Sequence, residues 1–309
     1  MLKYIAKRIL LIIPVMIGIT LFIYLLLDLA PGDPVSMILG TDASKEAVAE
    51  LREELGLDKN VLVRYVNYMS DALRGDFGKS WMTSKSVTDE FMQRLPNTLS
   101  LAFSALAITI VIGLTFGTLA AVWQNSPIDG ATLILALVFA SMPSFWFGLM
   151  LQIIFSLKLG WFPAMGVGTW KHIVLPAVTL SLGTIANQVR MTRSSILDVI
   201  NMNYVRTARA KGAGSFRVVF HHVIRNALMP VVTNWGLTFA TAFGGTIISE
   251  TVFSVPGISS FLINAVKVRD IPVVMGTVII VSVIVAVINL IIDIIYAVID
   301  PRVKLGYVS

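Results

Sequence analysis

Residues 3–34 read KYIAKRILLIIPVMIGITLFIYLLLDLAPGDP. Three cations, Lys3, Lys7 and Arg8, precede a run free of charge from residue 9 to residue 27. At about 1.5 Å of helix rise per residue, such a run crosses a hydrocarbon core of about 30 Å. A secretory leader has a similar order of charge and apolar residues, but it ends at a small-residue cleavage site. Here Leu29-Ala30-Pro31-Gly32-Asp33-Pro34 follows instead. The stretch is therefore expected to persist as a first transmembrane helix.

The rest of the chain agrees with a membrane fold. Of 309 residues, 56% are hydrophobic and 14% charged, where a soluble domain carries roughly 25% charged residues. Further apolar runs lie at 99–123, 131–157, 173–189, 227–249 and 273–299. Lipid offers the backbone no hydrogen bonds, so each run is expected to be helical and the whole to form one bundle of about six spans. Pro143, Pro176 and Pro230 lie in or at the ends of these runs, where neighbouring helices can satisfy the groups they free. There is no cysteine, hence no disulfide, thiol chemistry or Cys-ligated metal.

The net charge of +6 is read as orientation, with no nucleic acid involved, because the cations cluster between apolar runs. Segment 190–225 holds Arg190, Arg193, Arg206, Arg209, Lys211, Arg217 and Arg225 against Asp198 alone. It is expected in the cytoplasm, with the N-terminus and the tail cations Arg302 and Lys304 on the same side. Loop 124–130 should share that side, yet it has no Lys or Arg. The chain then divides into an N-terminal tail with the first helix (1–29), an external segment (30–97) and a five-helix core (98–309).

The external segment has helical periodicity. Ala43, Ala47, Val48, Leu51 and Leu55 share one face, with Asp42 or Ser44 as N-cap and Gly56 past the end. Leu62, Tyr65, Val66, Met69 and Leu73 repeat likewise and stop at Gly75. Two amphipathic helices packed on the outer face of the bundle are expected.

In the basic loop, residues 203–211 read as helix, broken at Gly212-Ala213-Gly214. Ser215 can cap a second short helix on which Phe216, Val219, Phe220, Val223 and Ile224 form an apolar stripe. Arg217, His221 and Arg225 line another face. Two readings stand side by side: a surface helix with its cations on anionic lipid, or a knob that docks into a groove of a cytoplasmic partner.

Other motifs carry less. Gly78-Lys79-Ser80 resembles the end of a phosphate-binding loop, but Leu73 stands where that loop needs a glycine. His221 and His222 are adjacent and point about 100° apart on a helix, so they cannot share a metal as an i, i+4 pair could. His172 marks a span boundary. Asp293 lies inside the last run near Asn289, where snorkelling or a local hydrogen bond accounts for it. Glu250 lies at an outer end where water reaches it. Asn187, Gln188, Asn234, Thr238 and Thr241 are pore-lining candidates, with helix–helix hydrogen bonding as the equal alternative.

Thr207-Ala208-Arg209-Ala210-Lys211-Gly212, followed by His222-x-x-Arg225-Asn226-Ala227-x-x-Pro230-Val231, resembles the cytoplasmic loop of binding-protein-dependent ABC permeases. It is most similar to the dipeptide, oligopeptide and nickel branch. The likeness runs end to end, through residues 29–34, Gly75-Asp76-Phe77-Gly78-x-Ser80, Leu159-Gly160-Trp161-Phe162-Pro163 and Glu250-Thr251-Val252-Phe253-Ser254-Val255-Pro256-Gly257. The wider pattern begins Glu-Ala-Ala and ends Leu-Pro. Here Arg206-Thr207-Ala208 begins it, Gly212 is in place, and the proline comes late, at Pro230.

The resemblance implies an all-α integral membrane protein with a coupling-helix loop before the fifth span. It implies an importer permease for peptides, or for nickel, glutathione or a saccharide, in a bacterial or archaeal cytoplasmic (inner) membrane. The implied partners are a second homologous permease, two cytoplasmic ABC ATPases that bind ATP and Mg, an external solute-binding protein and membrane lipid. No cofactor and no catalytic or metal site is expected in this chain. The implied ATPase-coupling residues are Arg206, Thr207, Ala208, Arg209, Ala210, Lys211, Gly212, Ala213, Gly214, Phe216, Arg217 and Phe220. An ion-coupled transporter would call for inverted repeats and buried charges, and a membrane enzyme for clustered ligands; neither pattern is found.

Single cysteines placed at Ser215 and Ser44 of this cysteine-free chain should react with an impermeant maleimide from opposite sides of the membrane. Labelling of both from one side would overturn the topology.

Overall fold

The computed structural model describes residues 2–30, 32–40, 43–214 and 217–299. The first helix, α1 (Leu2–Leu29), is followed by α2 (Pro34–Leu39), α3 (Lys45–Glu54) and α4 (Val61–Ala72). Then come α5 (Val87–Val122), α6 (Pro127–Ser141), α7 (Ser144–Leu151) with a π-helical extension (Gln152–Lys158), and α8 (Trp170–Ile200). The C-terminal third holds α9 (Asn203–Ala210), a π-helical turn (Val218–Ile224) running directly into α10 (Arg225–Gly244), α11 (Ile247–Val252), α12 (Ile258–Lys267) and α13 (Ile271–Ile299). Among the described residues no strand is formed; one isolated bridge pairs Lys79 with Ser86.

Four of the six apolar runs fall on single helices; the run at 227–249 is divided by a turn at Gly245-Thr246 between α10 and α11. Val87–Val122, Trp170–Ile200 and Ile271–Ile292 are long and apolar enough to cross a membrane alone. The run at 131–157 does not form the expected straight span: Pro127–Ser141 and Ser144–Lys158 meet at a 100° bend. The break falls at Met142-Pro143, because the ring of Pro143 removes a donor and disfavours helical backbone at the residue before it. The described apolar part of α1 is Ile13–Leu29.

The described chain packs as two compact units, one of residues 1–96 and 256–287, the other of 97–255 and 288–309. These cut the chain differently from the three sequence segments, because 256–287 packs with the N-terminal part.

In the first unit the turn between α12 and α13 is the anchor. Arg269 is buried, with backbone in the left-handed region (φ 55°). Its guanidinium donates to the carbonyls of Leu27 (3.1 Å), Ala30 and Gly32. The last carbonyls of a helix have no intrahelical partner, so one planar side chain caps α1 and fixes the Leu29–Pro34 motif. Asp33 of that motif caps α2 through Ser36 N (3.3 Å) and pairs with Arg52 (2.8 Å). Next to Arg269, the Asp270 carboxylate accepts from Ser80 Oγ (2.5 Å), Trp81 N (3.2 Å) and Met82 N (3.4 Å). Ser80 is thus committed to holding a loop closed, and Lys79 beside it is exposed; nothing about Gly78-Lys79-Ser80 is shaped as a phosphate cradle.

Ser44 caps α3 by accepting from Ala47 N (3.1 Å), and Gly56 past its end has φ 63°. Asp42 lies outside the described residues. Tyr65 of α4 hydrogen-bonds Thr20 Oγ1 (2.9 Å) and Ile17 O (3.2 Å), so α4 lies along α1. The Tyr68 hydroxyl donates to Phe77 O (3.4 Å) and Pro272 O (3.3 Å), and its burial pushes its ionisation well up from the ordinary phenol range. Gly276 lies against this corner; a Cβ there would sit 2.7 Å from Val87 Cγ1.

In the second unit, α5 and α8 meet in a ladder of four-residue period. Thr109 bonds Thr184 (2.8 Å). A Cβ on Gly113 would lie 2.2 Å from Gln188 Cγ, and one on Gly117 would lie 2.6 Å from Thr192 Cβ. Both numbers rise together, so the helices run parallel. The broken pair α6–α7 between them therefore carries the chain from one end of the unit to the other, as a span does and a re-entrant loop does not.

Replacing Arg269 by Met should leave three carbonyls without their donor, at a cost on the order of 3 kcal/mol or more. The detergent-solubilised protein should melt earlier, and Arg269→Lys should recover only part of the loss. A wild-type melting curve for Arg269→Met would refute the anchor.

Candidate functional site

The basic loop begins with α9, which packs through buried Val205 and leaves Arg206, Thr207, Arg209, Ala210 and Lys211 exposed. It ends in two linked bonds, Gly212 N to Arg209 O (2.9 Å) and Ala213 N to Ala208 O (3.2 Å), with Gly212 at φ 83°. This is the Schellman stop, which needs a residue free of Cβ strain at Gly212 and an apolar contact between its flanks. Ala208 and Ala213, at its two flanks, are half-buried and pack against the same apolar cluster. Nothing lies within 4 Å of where a Gly212 Cβ would project, so the surface outside the turn is open. Gly214 is exposed too, while Ser215 and Phe216 lie outside the described residues.

After the break the structure departs from the expected short, separate helix. Arg217 is already helical, and the π-turn flows into α10 without interruption. The buried residues are Val218 and Val223, five apart, as a π-turn places them; the expected α-spaced stripe at Val219, Phe220, Val223 and Ile224 is corrected accordingly. Val218 and Val223 join Ala121, Ile196, Val205 and Ala227 in one cluster under the loop. Phe220 is instead 55% exposed. With Val219 and Ile224 it lines an apolar groove of about 500 Å³ whose other wall is α5, from Leu114 to Trp123. Arg217, His221 and Arg225 are exposed; the His222 side chain lies outside the described residues.

Loop 124–130, the one without cations, is tied to this end by an anion. Arg193 donates to Asp129 through Nε and Nη2, both at 2.7 Å, and Asp129 also accepts from Asn125 N (3.0 Å). Asp129 is buried. The sequence reading noted the loop's lack of cations and did not find the pair.

The pore-lining candidates separate into two groups. Gln188 is fully buried. Its Oε1 accepts from Asn234 Nδ2 (3.0 Å) and its Nε2 donates to Thr192 Oγ1 (3.3 Å); Asn234 also reaches Thr238 Oγ1 (3.5 Å). These side chains are closed into the contact between α8 and α10. Asn187 and Thr241 are exposed, with the Thr241 hydroxyl bonded to Leu237 O (2.8 Å). The sequence reading passed over Gly113 and Gly117, although glycines four apart in an apolar helix signal close helix approach.

At the other end of the unit the segment after the π-helical extension is tied to the turn after α11. Gln152 Nε2 donates to Ala164 O (2.8 Å) and Val252 O (2.9 Å), and Gly166 N donates to Phe253 O (2.9 Å). Glu250 is not solvated as expected: it is fully buried and accepts from Thr98 Oγ1 (2.7 Å). The turn after α11 is closed on its backbone, where Val255 N donates to Glu250 O (2.9 Å). His172 closes the start of α8, its Nδ1 accepting from Thr169 N (3.2 Å). The Asp293 side chain lies outside the described residues, as do Arg302 and Lys304. Among the described residues no three of His, Asp or Glu gather as metal ligands.

Comparison with known proteins adds a family. Residues 113–305 match the model described as binding-protein-dependent transport system inner membrane component, and residues 1–102 match its N-terminal companion. The chain is 40% identical to the dipeptide transport system permease protein of Alkalihalophilus pseudofirmus, covering 98% of this chain and 100% of that one. It is 39% identical to the glutathione transport system permease protein of Salmonella choleraesuis, covering 98% and 99%. An inward-facing structure of a methionine ABC transporter shares the fold, with TM-score 0.59 and 21% identity over 68% of this chain and 96% of that one.

Reversing either charge of the Asp129–Arg193 pair should destabilise the protein, and the double reversal should restore it, with a coupling of about 2 kcal/mol for a charge-assisted, two-point contact. Melting of the two single variants and the double variant measures it. Additive losses would mean the pair is ornamental.

Proposed function

Because the chain belongs to the family of binding-protein-dependent transport system inner membrane components, the permease subunits of ABC importers, we propose that it forms half of a translocation pathway for di- and oligopeptides. It is a multi-pass inner-membrane protein of a family that works with ATPase and binding-protein components. It is a transport subunit and not an enzyme; ATP hydrolysis belongs to the partner ATPases.

In the assembly we propose, this permease pairs with a second homologous permease. Two ATPases holding ATP and Mg dock on the cytoplasmic side, and an external solute-binding protein delivers the solute. Both termini lie in the cytoplasm. Residues 203–214 form the docking surface. Its support is the Schellman stop, which ends α9 on an open glycine surface ringed by Arg206, Arg209 and Lys211. Phe220 and Arg217 flank it. Asn187 and Thr241, exposed on α8 and α10, face the pathway, while Gln188, Asn234 and Thr238 hold its wall together.

The peptide reading is carried by one observation, 40% identity over essentially the whole chain to a protein named as a dipeptide permease. Glutathione is the second reading, favoured by the 39% identity to a glutathione permease. Nickel or a saccharide would use the same architecture.

Cells lacking this permease should lose uptake of short peptides and survive a toxic peptide analogue. Cells carrying Gly212→Asp should behave alike, because a carboxylate at an interface shaped for glycine costs a few kcal/mol and lowers ATPase affinity about a hundredfold. The variant should insert normally and fail to retain the ATPases on purification; Lys79→Ala should transport normally. Intact peptide uptake with lost glutathione, nickel or saccharide uptake would reassign the solute. Gly212→Asp that keeps its ATPases and imports would remove the docking assignment.

A further inference from the structure

The basic loop hangs between two arms, α8 on one side and the continuous helix of the π-turn and α10 on the other. Directly beneath the loop the arms are joined by apolar packing, with Ile196 of α8 against Val218, Val223 and Ala227. A second junction lies roughly 12 Å farther along α8, at about 1.5 Å per residue from Ile196 back to Gln188. There the Gln188 amide accepts from Asn234 on the opposite arm (3.0 Å) and donates to Thr192 on its own (3.3 Å).

This second junction has little freedom. Gln188 is fully buried, and α5 presses on it from behind, where a Gly113 Cβ would come within 2.2 Å of its Cγ. Gly117 presses on Thr192 in the same way. Sliding α8 past α10 by one residue would part the Gln188–Asn234 bond and leave the buried Gln188 Oε1 without its donor, which is costly. The apolar junction alone would tolerate such sliding, because packing of that kind is not directional.

We propose that Gln188 and Asn234 are positioning residues that lock the two arms into one rigid lever, so that a displacement of α9 is carried along α8 and α10 together. The proposal rests on the reading of residues 203–214 as the ATPase-docking surface. Without the amide pair the loop still docks and still follows the ATPases, but the arms slip and absorb the motion. The signature is solute moved per ATP hydrolysed, which a merely structural contact would leave unchanged while lowering yield.

The test uses the complete transporter, permease with its partner chains, in proteoliposomes with radiolabelled trialanine. Gln188→Met and Asn234→Leu keep the volume and remove the amides. Each should retain the ATPases and hydrolyse ATP within about twofold of wild type, while trialanine moved per ATP falls roughly tenfold, the equivalent of one lost buried hydrogen bond. A second arm places Gln188→Cys and Asn234→Cys in this cysteine-free chain, with the partners' cysteines removed, and bridges them with a short bifunctional thiosulfonate. Bridging should return the ratio to the wild-type value. Full coupling in the Met and Leu variants would overturn the lever, and so would a bridge that stops transport, since the arms would then have to part in the cycle. If Gln188→Met does not fold, the bridged pair decides alone. Loss of ATPase retention marks failure at docking, as in Gly212→Asp, whereas slippage of the lever leaves retention intact.

Discussion

In hydrocarbon an apolar helix face gains nothing by leaving lipid for another helix, so helices associate through close backbone approach and buried polar contacts. The contact of α5 with α8 is the place where this constraint acts most directly. Gly113 and Gly117 bring the two backbones together, Thr109 and Thr184 close a hydrogen bond in the same register, and Gln188 sits where both devices meet. Gly236 does the same for α10 against Ile292, where a Cβ would lie 2.4 Å from Ile292 Cγ1. Side-chain removal, as much as side-chain contact, builds this unit.

The basic loop that projects from it obeys different rules, because its polar side chains are exposed. Its backbone is closed by its own bonds at Gly212, Val205, Val218 and Val223 are drawn under it, and its cations stay outside. The π-turn is what reconciles the two regimes. By spacing Val218 and Val223 five apart it turns both into the cluster beneath α9 and at the same time enters α10 without a cap. A separate helix would have left two more sets of unpaired terminal groups at the membrane surface.

Much of this was legible in the sequence. Apolar runs located the long helices, Ser44 and Gly56 bounded α3, and the basic segment marked the loop, because each of these is a local pattern. The 100° break at Pro143 was half legible: the proline was noted, but its consequence depends on whether neighbours straighten or accept the kink. The contacts that organise each unit were not legible. Arg269 is satisfied by carbonyls some 240 positions away, and a carbonyl leaves no trace in a residue pattern. Loop 124–130 was noted for its lack of cations, but nothing in the pattern paired its Asp129 with Arg193, 64 positions away. Glu250 was misplaced because its position at the end of a run suggested water, while the fold buries it against Thr98, some 150 positions earlier.

The span of the Arg269 anchor bears on how the molecule is made. The second unit is nearly contiguous in the chain and can pack as its helices emerge. The first joins the opening residues to a turn near the close of the sequence, so α1 must wait in the bilayer, its final carbonyls uncapped, until synthesis is almost complete. Domains that assemble from distant segments fold late and expose unfinished surfaces meanwhile. A nascent chain interrupted before Arg269 would thus carry α1 with its last carbonyls uncapped and α10 without Ile292 to pack on, an unfinished form open to membrane quality control.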